Sequence, residues 1–246
     1  MSQGFYTAAQ AMLIQQRRLN STSNNLANVN TSGYKREEII VSNFQQLLSY
    51  RLDKNGKHEI GSASQLQTVD EVLNFFEQAN ITATENPLDL AIAGDGFFQS
   101  GEPGNLVYTR NGSMSIDAQG YLTLSKSGRL RGADGPIYVG NSQFTVLSDG
   151  TVLSQKKEIL GKIVLYSADD ISGLMRTEDG SYRDVADSMQ AIEGTVIQGH
   201  LERSNVDITT EMTRLIEIQR NFQSVANALK TIDQLNAKTV SEIGRL

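Results

Sequence analysis

The chain has 246 residues, of which 39% are hydrophobic and 20% charged, and this balance excludes a disordered or membrane-embedded protein. The formal net charge of −6 and the lack of any basic cluster exclude a nucleic-acid partner, because phosphate binding needs a concentrated basic surface. No apolar run approaches the ~18 residues that a bilayer-spanning helix needs, so we expect no direct membrane insertion. Cysteine is absent, which rules out disulfides and cysteine-based sites.

The first predicted element is an amphipathic helix over residues 4–28, within an N-terminal segment that we place at 1–36. Its seam recurs at three- and four-residue steps and is formed by Phe5, Ala8, Met12, Gln15, Leu19, Thr22, Leu26 and Val29. The stripe is narrow, which is typical of a helix held between neighbouring helices. Gly33 stands where a left-handed residue would end the helix. The first six residues have no basic start and no apolar stretch, so we expect no cleaved signal peptide.

Residues 37–86 are predicted to be a partly extended connector, and residues 87–200 a β-rich domain. Short apolar runs in the second region indicate strands at 88–92, 107–109, 121–124, 137–139, 144–147 and 159–166. Between the runs lie dipeptides that tolerate the positive φ of tight turns: Asp95-Gly96, Asn111-Gly112, Gln119-Gly120, Asp134-Gly135, Asp149-Gly150 and Asp179-Gly180. This spacing predicts an antiparallel β-domain.

The C-terminal segment, residues 201–246, carries a long helical pattern that we expect to run from 206 to 246. Ser204, followed three residues later by Asp207, predicts a capping box at its start. Ten seam positions then alternate at three and four residues: Leu215, Ile218, Phe222, Val225, Leu229, Ile232, Asn236, Thr239, Ile243 and Leu246. Eight of the ten are apolar, which is the pattern of a coiled coil. The expected fold class is therefore α+β, with two terminal helices around a central antiparallel β-domain.

A helix of this length needs partners. One apolar seam docked on one neighbour does not offset the conformational entropy lost in ordering so long a backbone. The C-terminal helix therefore needs several neighbours, either the N-terminal helix and the body of its own chain or copies from other subunits. The spacing alone leaves a second arrangement open, in which both helices pack on the β-domain of their own chain.

The sequence contains no recognisable catalytic or metal-binding constellation. Its two histidines, His58 and His200, lie far apart in sequence, and no carboxylate motif accompanies them. The run Gly94-Asp95-Gly96 begins like a dinucleotide-binding loop, but position 99 is glutamine where a third glycine is needed. We therefore expect neither enzymatic activity nor a cofactor.

Four segments resemble the flagellar rod and hook axial family. The N-terminal one is NNLANVNTSGYKR at residues 24–36, and the C-terminal one spans residues 199–223 and contains LERSNVD at 201–207. In the middle, NPLDLAIAGDGFF at 86–98 and the stretch 108–122, with YTRNGS and DAQGYL, resemble the start of the family's β-domain.

The resemblance implies a structural rod subunit, with the proximal-rod type slightly favoured over the distal. It also implies export through the flagellar type III apparatus, polymerisation in the periplasm, an outer position for the β-domain, and contacts with other rod subunits, the hook protein and the ring bushing. Packing in the assembled tube is implied for the two helices, at Asn24, Asn25, Leu26, Asn28, Gly33, Leu215, Ile218, Phe222, Val225, Leu229, Ile232, Ile243 and Leu246. For Asp89, Tyr108 and Arg110 it leaves two roles open, contact between subunits or stabilisation of hairpins within one subunit.

Three other functions remain as alternatives. A hook or hook-like axial protein would need a larger outer domain. A hydrolase built on the β-domain would need a pocket with converging carboxylates. A soluble adaptor using the C-terminal helix would form discrete dimers or trimers rather than open polymers.

Overall fold

A computed structural model describes residues 3–43, 46–53, 56–64, 67–124, 127–168, 173–177 and 179–243. Across these residues the chain forms an N-terminal helix α1 (Gln3–Ala27), a series of short strands and a C-terminal helix α2 (Ile208–Ile243). All the strand pairings are antiparallel, so the α+β expectation is confirmed. The contacts divide the chain into two compact units, each described in turn.

The first, which we call the helical unit, comprises Met1–Ala27, Glu37–Asn74 and Asp207–Leu246. Its two helices pack against each other, and α1 also contacts two of the unit's strands, β1 and β4. Four strands form two antiparallel pairs, β1 with β4 and β2 with β3. Their bounds are β1 (Glu37–Asn43), β2 (Gln46–Asp53), β3 (Gly56–Ser64) and β4 (Gln67–Asn74). Much of the region 37–86, expected as a connector, is thus paired strand that belongs with the helices.

The helix ends differ from expectation in two respects. The N-cap of α2 is Asp207, whose Oδ1 accepts a 2.7 Å hydrogen bond from the Thr210 backbone N–H. The predicted capping box from Ser204 is therefore wrong, because the Ser204 hydroxyl accepts instead from the nearby Val206 N–H at 3.3 Å. Helix α1 ends at Ala27, six residues before Gly33. Gly33 is left-handed, at φ 68°, but it lies in a turn beyond the helix and does not cap it.

The second unit, the β-rich unit, comprises Asn28–Arg36 and Phe75–Val206. Its strands are β5 (Ile81–Ala83), β6 (Leu90–Ala93), β7 (Phe97–Glu102), β8 (Asn105–Thr109), β9 (Met114–Ile116), β10 (Leu122–Leu124), β11 (Gly128–Arg129), β12 (Arg131–Gly132), β13 (Gly135–Pro136), β14 (Phe144–Val146), β15 (Thr151–Ser154), β16 (Ile159–Lys162), β17 (Leu165–Ser167), β18 (Leu174–Arg176), β19 (Tyr182–Asp184), β20 (Gln190–Ile192), β21 (Thr195–Gln198) and β22 (His200–Glu202). The largest sheet has the order β18-β19-β8-β7-β17-β20. Residues 28–36 and 201–206 cluster here, although the sequence placed them with the helices.

An apolar core holds the β-rich unit together. Alternating strand residues such as Leu122, Leu124, Phe144 and Val146 point inward and are almost fully buried. A second cluster is aromatic, with Phe76, Phe97 and Tyr182 in edge-to-face contact at centroid distances between 4.9 and 6.0 Å. Because it has these two apolar clusters of its own, the unit carries its own source of stability.

Two of the predicted strands differ from those observed. The run 137–139 forms no strand, and Tyr138 makes only an isolated bridge to Tyr121. The run 159–166 is divided into β16 and β17. Five of the six turn dipeptides place their glycine at positive φ, and the sixth glycine, Gly112, is required for space. A Cβ at Gly112 would lie 1.5 Å from the Leu90 carbonyl oxygen, where the two backbones hydrogen-bond.

Candidate assembly site

The predicted seam of α2 is the face that the helix turns inward. Half-buried positions follow the three- and four-residue alternation at Leu215, Ile218, Phe222, Val225, Leu229 and Ile232. The positions between them are exposed, apart from Ala226. The side chain of Ile243 and the whole of Leu246 lie outside the described residues.

The inward face of α1 includes most of the predicted seam and is wider than it, since Ala8, Met12, Gln15, Leu19 and Leu26 are half-buried and Thr22 is buried. The buried side chains of α1 are Ile14, Ser21, Thr22 and Asn25, and only Thr22 was a seam position. Phe5, predicted in the seam, is 39% exposed. The inward face is wider because β1 covers the helix as well as α2 does, and β1 offers backbone hydrogen bonds that polar side chains can use.

The two helices run antiparallel, and α2 extends beyond α1. The end of α1 contacts the start of α2, where the Asn25 side-chain amide donates to the Glu211 carboxylate at 3.3 Å. Gln3 precedes Asn25 by 22 residues, and the residue 22 positions beyond Glu211 is Asp233. Half-burial on α2 ends at Ile232, and residues 233–239 are all exposed. We call 233–243, the part of α2 from the residue level with Gln3 to the end of the helix, the overhang.

A polar network joins both helices to the start of β1. The Asn25 amide donates to the Glu37 carbonyl at 2.8 Å, and its oxygen accepts from the Glu37 N–H at 3.1 Å. Glu211, 1% exposed, continues the network to Arg214 at 3.4 Å, and Arg214 reaches the Glu38 carboxylate at 3.3 Å. The arrangement resembles the buried polar position of a coiled coil, where hydrogen bonding restricts which residues can face each other.

The other residues implied near the end of α1 are less buried than Asn25. Asn24 is exposed, whereas Leu26 and Asn28 are half-buried. The Asn28 side chain accepts a hydrogen bond from the Thr31 hydroxyl at 3.1 Å, within the turn that follows α1. In residues 24–28, the side-chain amide of Asn25 thus points inward, whereas its neighbours are exposed, half-buried or part of the following turn.

Within the β-rich unit, the N-terminal and C-terminal signature segments bind each other in what we call the clasp, formed by residues 33–36, residues 202–205 and Arg110. Glu202 is its centre. Its carboxylate accepts from the Lys35 ammonium at 2.6 Å, the Ala79 N–H at 2.9 Å and the Arg110 guanidinium at 3.2 Å. Its backbone carbonyl accepts from the Gly33 N–H at 2.8 Å. Residues 167 positions apart in sequence are therefore joined by one side chain.

Asn205 forms the second half of the clasp. Its N–H donates to the Tyr34 carbonyl at 3.3 Å, its Oδ1 accepts from the Arg36 N–H at 2.7 Å, and its amide donates to the Phe75 carbonyl at 2.7 Å. The Arg176 guanidinium donates to the Lys35 carbonyl and lies 4.1 Å from the centroid of the Tyr34 ring. Segment 33–36 is thus bound through its backbone as well as its side chains.

The clasp buries two cations against one carboxylate. The side chains of Lys35 and Glu202 have no exposed surface, and that of Arg110 has 2%. Burial lowers the pKa of the Lys35 ammonium, and the hydrogen bond and charge of Glu202 oppose that effect without cancelling it. Because Arg110 lies on the same carboxylate, its charge lowers the Lys35 pKa further.

Gly33 is required by the clasp for two reasons. Its φ of 68° lies in the left-handed region, where residues with a side chain are strained. A Cβ there would also lie 2.3 Å from the backbone of Arg110 and Asn111. The segment that follows α1 therefore approaches the backbone just after strand β8 too closely for a side chain at position 33. This is the reason for glycine at this position of the signature.

Asp89, Tyr108 and Arg110 all have partners within the β-rich unit. Tyr108 is buried, its hydroxyl accepts from the Gln99 amide at 3.1 Å, and burial raises its pKa. Asp89 forms an isolated bridge with Ser113, and its carbonyl accepts from the Gly199 N–H. Of the two roles that the sequence left open, these contacts support stabilisation within one subunit, and that of Tyr108 lies within the β7–β8 hairpin.

Several apolar side chains of the helical unit face solvent. On α2, the exposed fractions of Ile208, Met212 and Ile216 are 47%, 52% and 50%, and these residues form one row at steps of four. On α1, Tyr6 and Leu13 are about as exposed. Leu235, in the overhang, is 61% exposed. Exposed apolar residues in rows are typical of surfaces that bind other proteins.

No helix in the described part of the chain is long and apolar enough to cross a membrane. Among the same residues, no group of histidine and carboxylate side chains is arranged to hold a metal ion.

Comparisons with known proteins match the chain at both ends and in the middle. Residues 5–35 match the family described as flagella basal body rod protein, residues 91–154 the flagellar hook protein FlgE/F/G D1 domain, and residues 197–242 the flagellar basal body rod FlgEFG protein C-terminal region. The flagellar basal-body rod protein FlgF of Caulobacter vibrioides is 32% identical over 252 residues, covering all of both chains.

The chain belongs to the flagellar basal-body rod family. Two further relatives agree with this membership. The flagellar hook-basal body complex protein FlhO of Bacillus subtilis is 30% identical with both chains fully covered, and FlgG of Caulobacter vibrioides is 30% identical with 95% of this chain and 96% of its own covered. The full-length similarity to FlgF supports a rod-family protein of the proximal-rod type, located in the flagellar basal body.

The terminal family matches meet in the clasp. The first ends at Lys35, and the last begins at Ile197, just before β22, and runs along α2. The two signature segments of this rod-family protein are therefore complementary halves of one intramolecular contact. Sequence reasoning identified both segments but did not pair them.

Proposed function

We propose that this protein is a structural subunit of the flagellar rod that polymerises with itself and with other rod subunits into a helical tube transmitting torque from motor to hook. The observation that carries the proposal is the overhang, a stretch of α2 in which every side chain that the structure describes, at residues 233–239, is exposed. A helix of this kind gains little from propensity alone and is stabilised chiefly by packing its apolar face. A neighbouring subunit supplies that packing.

The implied assembly residues then have two kinds of role. The half-buried seam from Leu215 to Ile232, with Asn25 and Gly33, shapes the subunit itself. The overhang, which contains Leu235 and Ile243, and the terminal residue Leu246 meet a neighbouring subunit, as does the exposed row Ile208, Met212 and Ile216. The β-rich unit forms the outer domain. Its short strands and well-packed core suit a rigid shell that contacts the ring bushing.

Other parts of the proposal follow from family membership. The subunit leaves the cytoplasm through the flagellar type III export apparatus without a cleaved signal, assembles in the periplasm and has the hook protein as a more distal partner. It needs no cofactor and performs no catalysis. The lack of cysteine suits a chain that must cross an oxidising compartment, where free thiols form disulfides.

Polymerisation of the purified protein tests the role of the overhang. Replacing exposed Leu235 by aspartate places a charge on the surface proposed to be buried by a neighbour, so we expect at least a tenfold loss of sedimentable polymer. The far-UV circular dichroism of the monomer is expected to stay unchanged, because Leu235 is largely solvated there. Gln234→Asp, on the adjacent exposed position, is the matched control and is expected to polymerise normally. Normal polymerisation of Leu235→Asp would exclude the overhang as an assembly surface.

A further inference from the structure

We propose that Asn25 and Glu211 are positioning residues that set the register in which α1 pairs with α2, and with it the length of the overhang. The register itself is a property of the single subunit. Its consequence for assembly rests on the proposed rod function, because the overhang is the surface that a neighbour is proposed to cover.

The apolar seam alone does not define this register. A slip of seven residues, ~10.5 Å along the axis, replaces Leu215 by Phe222 and Ile218 by Val225. Each exchange substitutes one apolar seam residue for another. On α1, the half-buried positions Ala8, Ala9 and Ala11 are small and alike, and the larger inward side chains Met12 and Ile14 are apolar like the seam of α2. Apolar packing therefore tolerates a slipped pairing.

The polar network does not tolerate one. A seven-residue slip in one direction brings Ile218 to Asn25, and the amide that now donates to Glu211 then faces a hydrocarbon side chain. The opposite slip carries Asn25 past the start of α2, which is at Ile208. In both cases the buried Glu211 carboxylate loses the amide donor of Asn25.

The start of β1 acts as the common reference for both helices. Glu37 binds α1, because its backbone N–H and carbonyl both hydrogen-bond to the Asn25 side chain. The next residue, Glu38, binds α2 through Arg214. Since neighbouring residues of one strand hold the two helices, the helices cannot slide relative to each other without breaking a contact to β1. The contacts to β1 therefore fix the register of α1 and α2.

Distance measurement between spin labels tests the proposal in the full-length monomer. The chain has no cysteine, so Gln16→Cys and Ser224→Cys, both at exposed positions, give one label on each helix. Double electron–electron resonance, with labelled protein diluted into unlabelled protein, is expected to give one narrow distance. Combining Asn25→Leu with Glu211→Leu is expected to keep the helicity. In the distance distribution, the population at a second, displaced distance is expected to rise at least fivefold above its level in the unsubstituted labelled protein.

Two further variants make the test decisive. Asn20→Leu with Glu217→Leu makes the same residue changes at exposed positions of the same helices and is expected to keep the single distance. Asn25→Asp preserves the shape of the side chain and replaces the amide donor by an acceptor. It is expected to produce the second distance as well, and it serves as the test if the double leucine variant does not fold. A single unchanged distance in a folded Asn25 variant would overturn the proposal and leave Asn25 a stabilising residue only. Because the measurement uses monomer, that result is independent of whether the protein polymerises.

Discussion

At the residue scale, Glu202 shows how one buried charge can explain a sequence signature. Its carboxylate pairs with Lys35 and accepts from Arg110, and its backbone carbonyl accepts from Gly33, so two segments distant in sequence depend on it. Buried ion pairs add little net stability over apolar packing, but removing one member leaves the other charges uncompensated. We therefore infer that the clasp specifies which segments of the chain pack together. Loss of one of its charged residues should strongly destabilise the β-rich unit.

The clasp predicts an asymmetric effect of mutation. Glu202→Gln leaves two buried cations without a carboxylate and is expected to lower the unfolding free energy of the β-rich unit by about 3–5 kcal/mol. Lys35→Met is expected to cost less, because Glu202 then keeps Arg110 as its partner. Urea unfolding monitored by tyrosine fluorescence measures both, with exposed Glu193→Gln as the control expected within about 0.5 kcal/mol of the unmodified chain. Equal losses for Glu202→Gln and Glu193→Gln would contradict the assignment.

At the element scale, the sequence predicted what is local and periodic. The seam of α2 follows from spacing, and so do the turn glycines, because both are readable within a few residues. Two of the most buried positions of α1 were missed because β1 binds Ser21 and Asn25, which hydropathy counts as outward-facing. The clasp and the Asn25–Glu211 contact were not predictable from periodicity, since each joins residues more than 160 positions apart. The available signal was that one signature segment contains a lysine, Lys35, and the other a glutamate, Glu202. A single sequence does not show that these two charges meet.

The start of α2 predicts a specific response to acid. Hydrogen bonds from the Thr210 backbone N–H and side chain lower the pKa of Asp207 below its ordinary value of 3.8. A carboxyl whose folded pKa is depressed stabilises the fold above its ordinary value, and that stabilisation is lost as the pH falls through the lower folded value. The urea midpoint of the helical signal is therefore expected to fall between pH 6 and pH 2.5. Asp207→Asn caps the helix without a charge, so its urea midpoint is expected to fall less over the same pH range. Asp233→Asn, at an exposed position of the overhang, is the control and is expected to show the same fall as the unmodified chain. Identical acid dependence in Asp207→Asn and the unmodified chain would exclude the charged cap.

At the scale of the whole molecule, the two units differ in what holds them together. Among the side chains that the structure describes, Ile14 is the one fully buried apolar residue of the helical unit, whereas the β-rich unit has two apolar clusters. Because burial of apolar surface is the main source of stability, the helical unit should be the weaker of the two in the monomer. A weak helical unit suits a subunit whose helices gain their remaining contacts on assembly.

This difference predicts that the monomer does not unfold in a single step. Six of the eight tyrosines lie in the β-rich unit, so tyrosine fluorescence reports mainly on that unit and circular dichroism at 222 nm on the helices. In urea, we expect the helical signal to be lost at a lower midpoint than the fluorescence signal. Glu202→Gln should then lower the fluorescence midpoint and leave the helical one in place, because the clasp lies wholly within the β-rich unit. Coincident transitions in the unmodified chain would mean that the two units fold as one cooperative body, and the helices would then be stable before any neighbour arrives.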